Sequence, residues 1–160
     1  FVGGLLAGAD VVVGSRFLQG GGTDDMELYR RAGNSVLTML VRLGFGARYT
    51  DLCYGYSAFW RDVLPLLDGP FTGFEVETVL HIRALRSRLR VVEIPSFEAS
   101  RIHGVSNLQT VRDGFRVVRA IGREWKLERK SRRSGTRPER SARAARPHLV
   151  AAEAVPEAVP

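Results

Sequence analysis

The stretch from Ala9 to Asp25, A-D-V-V-V-G-S-R-F-L-Q-G-G-G-T-D-D, sets an arginine, three glycines and two acids behind a short apolar run. Arg16 carries a planar fork of donors that matches a phosphate, and Gly14 lets a ligand approach the backbone closely. Three chemistries are open for this stretch: a glycine-rich phosphate loop, an acidic metal site, or a strand that delivers Arg16 to a pocket. Gly20-Gly21-Gly22 lacks the spaced glycines and the Lys-Ser/Thr pair of a nucleotide loop. Asp24-Asp25 is explained at least as well as the cap of a following helix. A solvent-facing arginine in a glycine loop is the plain alternative for Arg16.

Further along, Arg30, Arg31, Asn34 and Ser35 fall one helical turn apart, as the pairs Arg30/Asn34 and Arg31/Ser35. That turn is a phosphate site if it faces Arg16, and otherwise a solvated helix face. Asp51 opens an aromatic segment, D-L-C-Y-G-Y-S-A-F-W-R, which suits a groove for a sugar or lipid chain and suits core packing equally well. Glu75 and Glu77 are candidates for a general base, or for favourable charge at a helix start. Arg101, His103, Gly104 and Ser106 follow a strand and Pro95, although Ser106 or Asn107 also fits as a helix cap. His81 has no second ligand near it in sequence, which argues against a metal role. Cys53 is the single cysteine; it reads as a small buried hydrophobe, excludes an internal disulfide and fits a reducing, cytoplasmic setting.

The elements that must position these residues alternate. A helix end over residues 1–7 leads to a buried strand, Asp10 to Ser15, bounded by Asp and Gly. A loop from Phe17 to Asp25 precedes a helix from Met26 to Leu43, with Leu28, Ala32, Val36, Met39, Leu40 and Leu43 as its apolar face and Gly44 and Gly46 at its end. Tyr54 to Trp60 reads as a strand or extended segment, Arg61 to Leu67 as a short helix, Phe74 to Arg88 as a helix and Leu89 to Ile94 as a strand. Asn107 to Lys126 is a last amphipathic helix. Strands alternating with helices imply an α/β layer structure, in which ligands gather beyond the carboxyl ends of the strands. Arg16 and the segment after Ile94 occupy such ends.

Charge divides the chain. The 160 residues carry a net charge of +7, yet residues 123–146 alone hold ten basic residues against Glu124, Glu128 and Glu139. Beyond Lys130 there is no periodic apolar face, and a disordered Arg/Ala/Pro-rich tail is expected. The basic segment 116–146 suits an anionic membrane surface, and it suits a solvated tail. As a nucleic-acid arm it lacks interleaved aromatics apart from Trp125. The longest apolar stretch, Val36 to Phe45, contains Arg42 and is far shorter than the ~20 residues that span a bilayer. No charged segment and cleavage site open the chain as in a signal peptide, and Phe1 reads as a start inside a domain.

Taken in order, the motifs resemble family 2 glycosyltransferases, with the dolichyl- or polyprenyl-phosphate mannosyltransferase type as the nearest subgroup. The resemblance is carried by G-A-D-V-V-V-G-S-R-F with its glycine loop, R-R-A-G-N, T-D with G-Y-S-A-F, G-F-E-V-E, and V-E-I-P-S-F followed by Arg101, Gly104 and Ser106. It implies the C-terminal, acceptor-side part of a GT-A (Rossmann-like) nucleotide-diphospho-sugar transferase fold over residues 1–127, followed by the basic tail over 128–160. It further implies an inverting transfer, a nucleotide-sugar donor and a divalent metal, Mg or Mn, whose ligands would precede Phe1. The chain alone is then expected to be inactive. The acceptor would be a polyprenyl phosphate at the inner face of a membrane, with Arg16, Arg30, Arg31, Asn34, Ser35, Arg101 and Ser106 as the residues that bind the acceptor phosphate or the diphosphate leaving group, Arg101 reaching either one. A saccharide or other hydroxyl acceptor would need a base, for which Asp51, Glu75 and Glu77 are the candidates. A non-catalytic basic-tailed nucleic-acid or scaffold protein is the reading from another class.

Overall fold

In the computed structural model, which describes residues 1–67, 69, 71, 73–103 and 110–135, the V-V-V run forms the central strand of the larger sheet. The elements follow in the order α1 (Val2–Leu6), β1 (Val11–Ser15), β2 (Gly22–Thr23), α2 (Leu28–Phe45), β3 (Ser57–Phe59), a 3-10 helix (Arg61–Leu67), α3 (Glu75–Arg86), β4 (Val91–Pro95), β5 (Phe97–Glu98) and α4 (Thr110–Ser134). β1 lies between β3, antiparallel, and β4, parallel, with Val11 opposite Val91 and Ser15 opposite Pro95. β2 and β5 form a separate parallel pair. The molecule is a mixed α/β structure.

A strand buried on both faces reads as a continuous apolar run, and β1 obeys this. Val11 and Val13 enter the main core with Leu37 and Val41 of α2, Ile82 of α3, and Val117 and Ile121 of α4. Val12 points the other way onto α1, where a Cβ on Gly4 would lie 2.8 Å from a Val12 methyl. Burying each such valine contributes roughly 1.5–3 kcal/mol.

α3 ends two residues earlier than its apolar pattern suggests. Arg88 adopts φ +54, its N–H bonds the Leu85 carbonyl, and the Leu89 N–H reaches back to Ala84. These two bonds close the helix in a Schellman turn, so β4 starts at Val91 instead of Leu89. Pro95 ends β4 at the sheet edge; the neighbouring Ser96 N–H bonds Ser15, so the proline nitrogen, lacking a proton, faces away from β1.

α2 departs most from expectation. Its buried positions are Asn34, Leu37, Thr38 and Val41. The expected apolar face lies outward, with Leu28 82 % and Leu43 78 % exposed and Val36, Met39 and Leu40 also at the surface. Asn34 is the cause: its side chain binds the backbone of the 51–53 loop, which turns that flank of the helix inward. Nor is α2 capped by Asp24 or Asp25. Glu27 holds the N-cap position without a side-chain cap bond; the Asp24 N–H bonds Glu98 and the Asp25 N–H bonds the Thr23 hydroxyl. At the other end the helix runs through Gly44 and stops at Gly46, in the left-handed region at φ +67.

α4 also outruns its expected end. It continues to Ser134, taking in the first residues assigned to the tail, because Glu124 and Glu128 anchor it to arginines of α3. Residues 136–160 lie outside the described residues. No helix among the described residues is long and apolar enough to cross a membrane.

Candidate active site

β1 ends at Ser15, and the next residue, Arg16, turns into a buried position against the loop that follows Thr50. Its Nε and Nη2 donate to the two oxygens of Asp51 at 2.7 and 3.0 Å, Nη1 donates to Glu98 at 2.9 Å, and Nη2 also reaches the Cys53 carbonyl at 3.2 Å. The Tyr54 ring lies 4.7 Å from the guanidinium carbon. Burial works against the Arg16 charge, but the hydrogen bonds and charges of Asp51 and Glu98 outweigh it and raise its pKa. Arg16 is therefore a fixed cation whose donors are turned largely onto its own protein.

Asp51 is fully buried and also accepts from the Arg16 and Cys53 backbone N–H groups and from Asn34 Nδ2. The Asn34 carbonyl oxygen in turn accepts the Leu52 and Cys53 N–H groups. On the other side of the loop Glu93, from β4, takes the Thr50 N–H, the Thr50 hydroxyl and the Asp51 N–H. Burial raises the Glu93 carboxyl's pKa, and these donors oppose the rise. Glu93 and Glu98 are the site residues that the sequence reading missed. The available signal was an acid inside an otherwise apolar strand, V-V-E-I-P, and a second one beyond it.

This lattice forms one wall of a cleft of about 720 Å³. Arg16, Arg30 and Arg101 supply its positive groups, and Met26, Val36, Phe74, Val117 and Val118 give it an apolar side. Arg30 and Arg101 are loosely held: Arg30 Nε stands 3.5 Å from the exposed Glu27 carboxylate and makes no hydrogen bond among the described residues, and Arg101 Nε stands 3.5 Å from Asp25. Arg31 and Ser35 turn outward and do not line the cleft; Ser35 bonds the Arg31 carbonyl and Arg31 lies over Phe17. Ser106 lies outside the described residues. The glycine loop folds back on the end of β1, where a Cβ on Gly21 would come within 2.5 Å of the Ser15 carbonyl, so it frames Arg16 and does not form a cradle of its own.

The three candidate bases separate cleanly. Asp51 is held by Arg16, and Glu75 accepts Arg116 Nη2 at 2.9 Å outside the cleft lining. Glu77 lines the cleft and makes no hydrogen bond or ion pair among the described residues. Its carboxyl packs against Gly55, where a Cβ would lie 2.5 Å from Oε1. Burial pushes its pKa up to about 7, with Arg16 opposing and Asp51 adding to the shift. Burial likewise pushes the Cys53 thiol up to about 12, which makes it an inert neighbour. His81 is buried against Tyr49 and, its pKa lowered to about 4 by burial, is a neutral core residue. Among the described residues no three His, Cys, Asp or Glu side chains converge to hold a metal ion.

No family model matches the chain. It is 29 % identical over 128 residues, 77 % of this chain and 48 % of the relative, to the polyprenol monophosphomannose synthase of Mycolicibacterium smegmatis. It is 32 % identical over 92 residues, 58 % of this chain and 22 % of the relative, to the low-salt glycan biosynthesis hexosyltransferase Agl6 of Haloferax volcanii. An uncharacterized protein of Shigella flexneri is 37 % identical over 76 residues, 47 % of each chain. The chain thus spans about half the length of two of these relatives and about a fifth of the third. Its named relatives are distant glycosyltransferases.

Proposed function

We propose that the chain is the acceptor-side part of a GT-A glycosyltransferase that transfers a sugar, with inversion, from a nucleotide-sugar donor to a polyprenyl phosphate. The observation that carries this reading is the composition of the cleft: two loosely held arginines beside an apolar wall fit an anion joined to a hydrocarbon chain. The acceptor phosphate is itself the nucleophile, so the protein's task is position and charge. An acceptor oxygen attacks the anomeric carbon and the nucleoside diphosphate leaves from the opposite face with the bonding electrons. Arg30 and Arg101 contact the phosphates. Arg16 keeps the 51–54 loop in place and contributes its field.

Titration calorimetry of the chain with a short polyprenyl phosphate and with the matching alcohol tests the cleft. The phosphate is expected to bind and the alcohol to bind far more weakly. Arg30→Ala and Arg101→Ala should each lose about tenfold or more in affinity, the worth of one charge-assisted hydrogen bond. Equal binding of alcohol and phosphate, or unchanged affinity in both variants, overturns the reading. A hydroxyl acceptor is the second reading, favoured by one observation: Glu77 is the candidate base left without a hydrogen-bond or ion-pair partner among the described residues.

The same proposal brings the chain to a membrane that holds the acceptor. Supporting it are the outward Val36, Met39 and Leu43 of α2, the exposed Phe115 of α4, and the basic Lys126, Arg129 and Lys130 farther along that helix. Near an anionic surface each basic residue contributes about 1 kcal/mol. Cosedimentation with phosphatidylserine-containing vesicles, and not with phosphatidylcholine alone, is the expected result. Lys126→Glu combined with Lys130→Glu should weaken that binding at least about tenfold; no change would remove the membrane contact.

A further inference from the structure

We propose that Glu77 shares a proton with the acceptor phosphate and so positions it in the cleft, making acceptor binding depend on the protonation of this one carboxyl. The inference rests on the phosphate reading above. It starts from an elimination among the acids of the cleft: Asp25 faces Arg101, Glu98 holds Arg16, and Asp113 of α4 is also engaged. Glu77 alone among them makes no hydrogen bond or ion pair with a described residue. A half-buried carboxyl with no partner among the described residues is a costly arrangement when ionised, unless something complements it. The surroundings on the protein side do not supply that complement. Gly55 presses a bare Cα against the carboxyl, and any side chain there would strike Oε1.

The remaining charged groups explain why a proton is the missing partner. Arg16 is a cation whose charge acts on Glu77, but its fork is committed to Asp51 and Glu98. Arg30 on α2 and Arg101 beyond β5 line the same cleft without bonding Glu77. Asp51 and the Cys53 thiol on the loop, and Glu75 on α3 itself, bring no positive charge. Desolvation thus favours the protonated form, and its pKa of about 7 places the change near neutrality. Protonated, Glu77 donates a hydrogen bond to a phosphate oxygen. Ionised, it repels the same oxygen. A phosphate monoester is mostly dianionic above its second pKa of about 6, so the proton between the two groups is shared and not duplicated.

Glu77→Gln imitates the protonated acid and cannot ionise, and it removes no contact that holds the fold. Binding of the short polyprenyl phosphate is to be measured at pH 6 and pH 8 in wild type and Glu77→Gln, in buffers of different ionisation enthalpy. The two proteins should bind alike at pH 6. At pH 8 the Gln variant should bind about tenfold more tightly, since one unit above its pKa only about a tenth of Glu77 carries the proton. Wild type should take up a proton on binding near neutrality, and the Gln variant should take up markedly less. Gly55→Ala, whose Cβ displaces the Glu77 carboxyl without changing that residue's chemistry, is expected to reduce this uptake. Parallel pH curves and equal proton uptake in wild type and Glu77→Gln overturn the role of Glu77 while leaving the phosphate reading standing. No binding of the phosphate by wild type at either pH overturns both.

Discussion

Asp51→Ala is expected to destabilise the chain by about 3–5 kcal/mol, the cost of leaving a buried charge without its partner. Asp51 is fully buried and accepts five hydrogen bonds: two from the Arg16 guanidinium, two from backbone N–H groups and one from Asn34. Its removal strands the guanidinium, which keeps Glu98 and the Cys53 carbonyl but loses both bonds to the carboxylate. For a domain of this size such a loss lowers the melting temperature by roughly 6–20 °C. Urea denaturation of wild type, Asp51→Ala and the double variant Arg16→Met with Asp51→Leu checks the cause. If the unpaired charge is what costs, the double variant regains much of the lost stability. A loss below about 1 kcal/mol in Asp51→Ala, the range of exposed pairs, would show that the pair carries no such weight.

The same pair shows what could be read from the residues beforehand. The V-V-V run, the 3-10 segment from Arg61 to Leu67 and the α3 body are encoded locally, by runs and periodicities that any sequence window contains. The position of Arg16 at a strand's carboxyl end followed from that. Its partners did not, because Asp51 and Glu98 lie 35 and 82 residues away and nothing in a local window announces a buried ion pair. β2 and β5 are two residues each and exist only through pairing across the chain. α2 failed for a related reason. Its apolar residues were counted as the buried face, whereas Asn34 and Thr38 go inward because the 51–53 loop needs the amide of Asn34. The apolar face was thereby left for the surface, where the membrane proposal uses it. Glu77 was visible as one of three candidate bases, but only the ion pairs of Asp51 and Glu75 single it out.

A second large effect is expected at the seam between α3 and α4. Glu124 is almost fully buried and accepts Arg83 through Nε and Nη2 at 3.2 and 3.1 Å and Arg86 through Nη1 at 2.5 Å. Glu128, one turn later, accepts Arg86 Nε at 3.0 Å and the exposed Arg132 at 2.7 Å. Arg83 and Arg86 are three apart and Glu124 and Glu128 four apart, so both pairs meet across the helix contact. Glu124→Ala takes the shared partner from two arginines at once and should cost about 3 kcal/mol or more. Arg83 retains the Leu66 carbonyl and the Phe71 ring nearby, and Arg86 retains Glu128. Glu128→Ala should cost about 1 kcal/mol, because one of its partners is exposed and the other keeps Glu124. Burial acts against the Glu128 charge, but Arg132 and Arg86 overcome it and lower its pKa. Its contribution is therefore present above about pH 4.5, its unperturbed value, and fades as the pH falls below it. Denaturation midpoints for the two variants decide the matter: losses below about 1 kcal/mol in both would mean that the seam is held by its apolar contacts, whereas the expected ranking makes Glu124 the anchor that carries the basic end of α4 as helix, from Arg123 to Ser134.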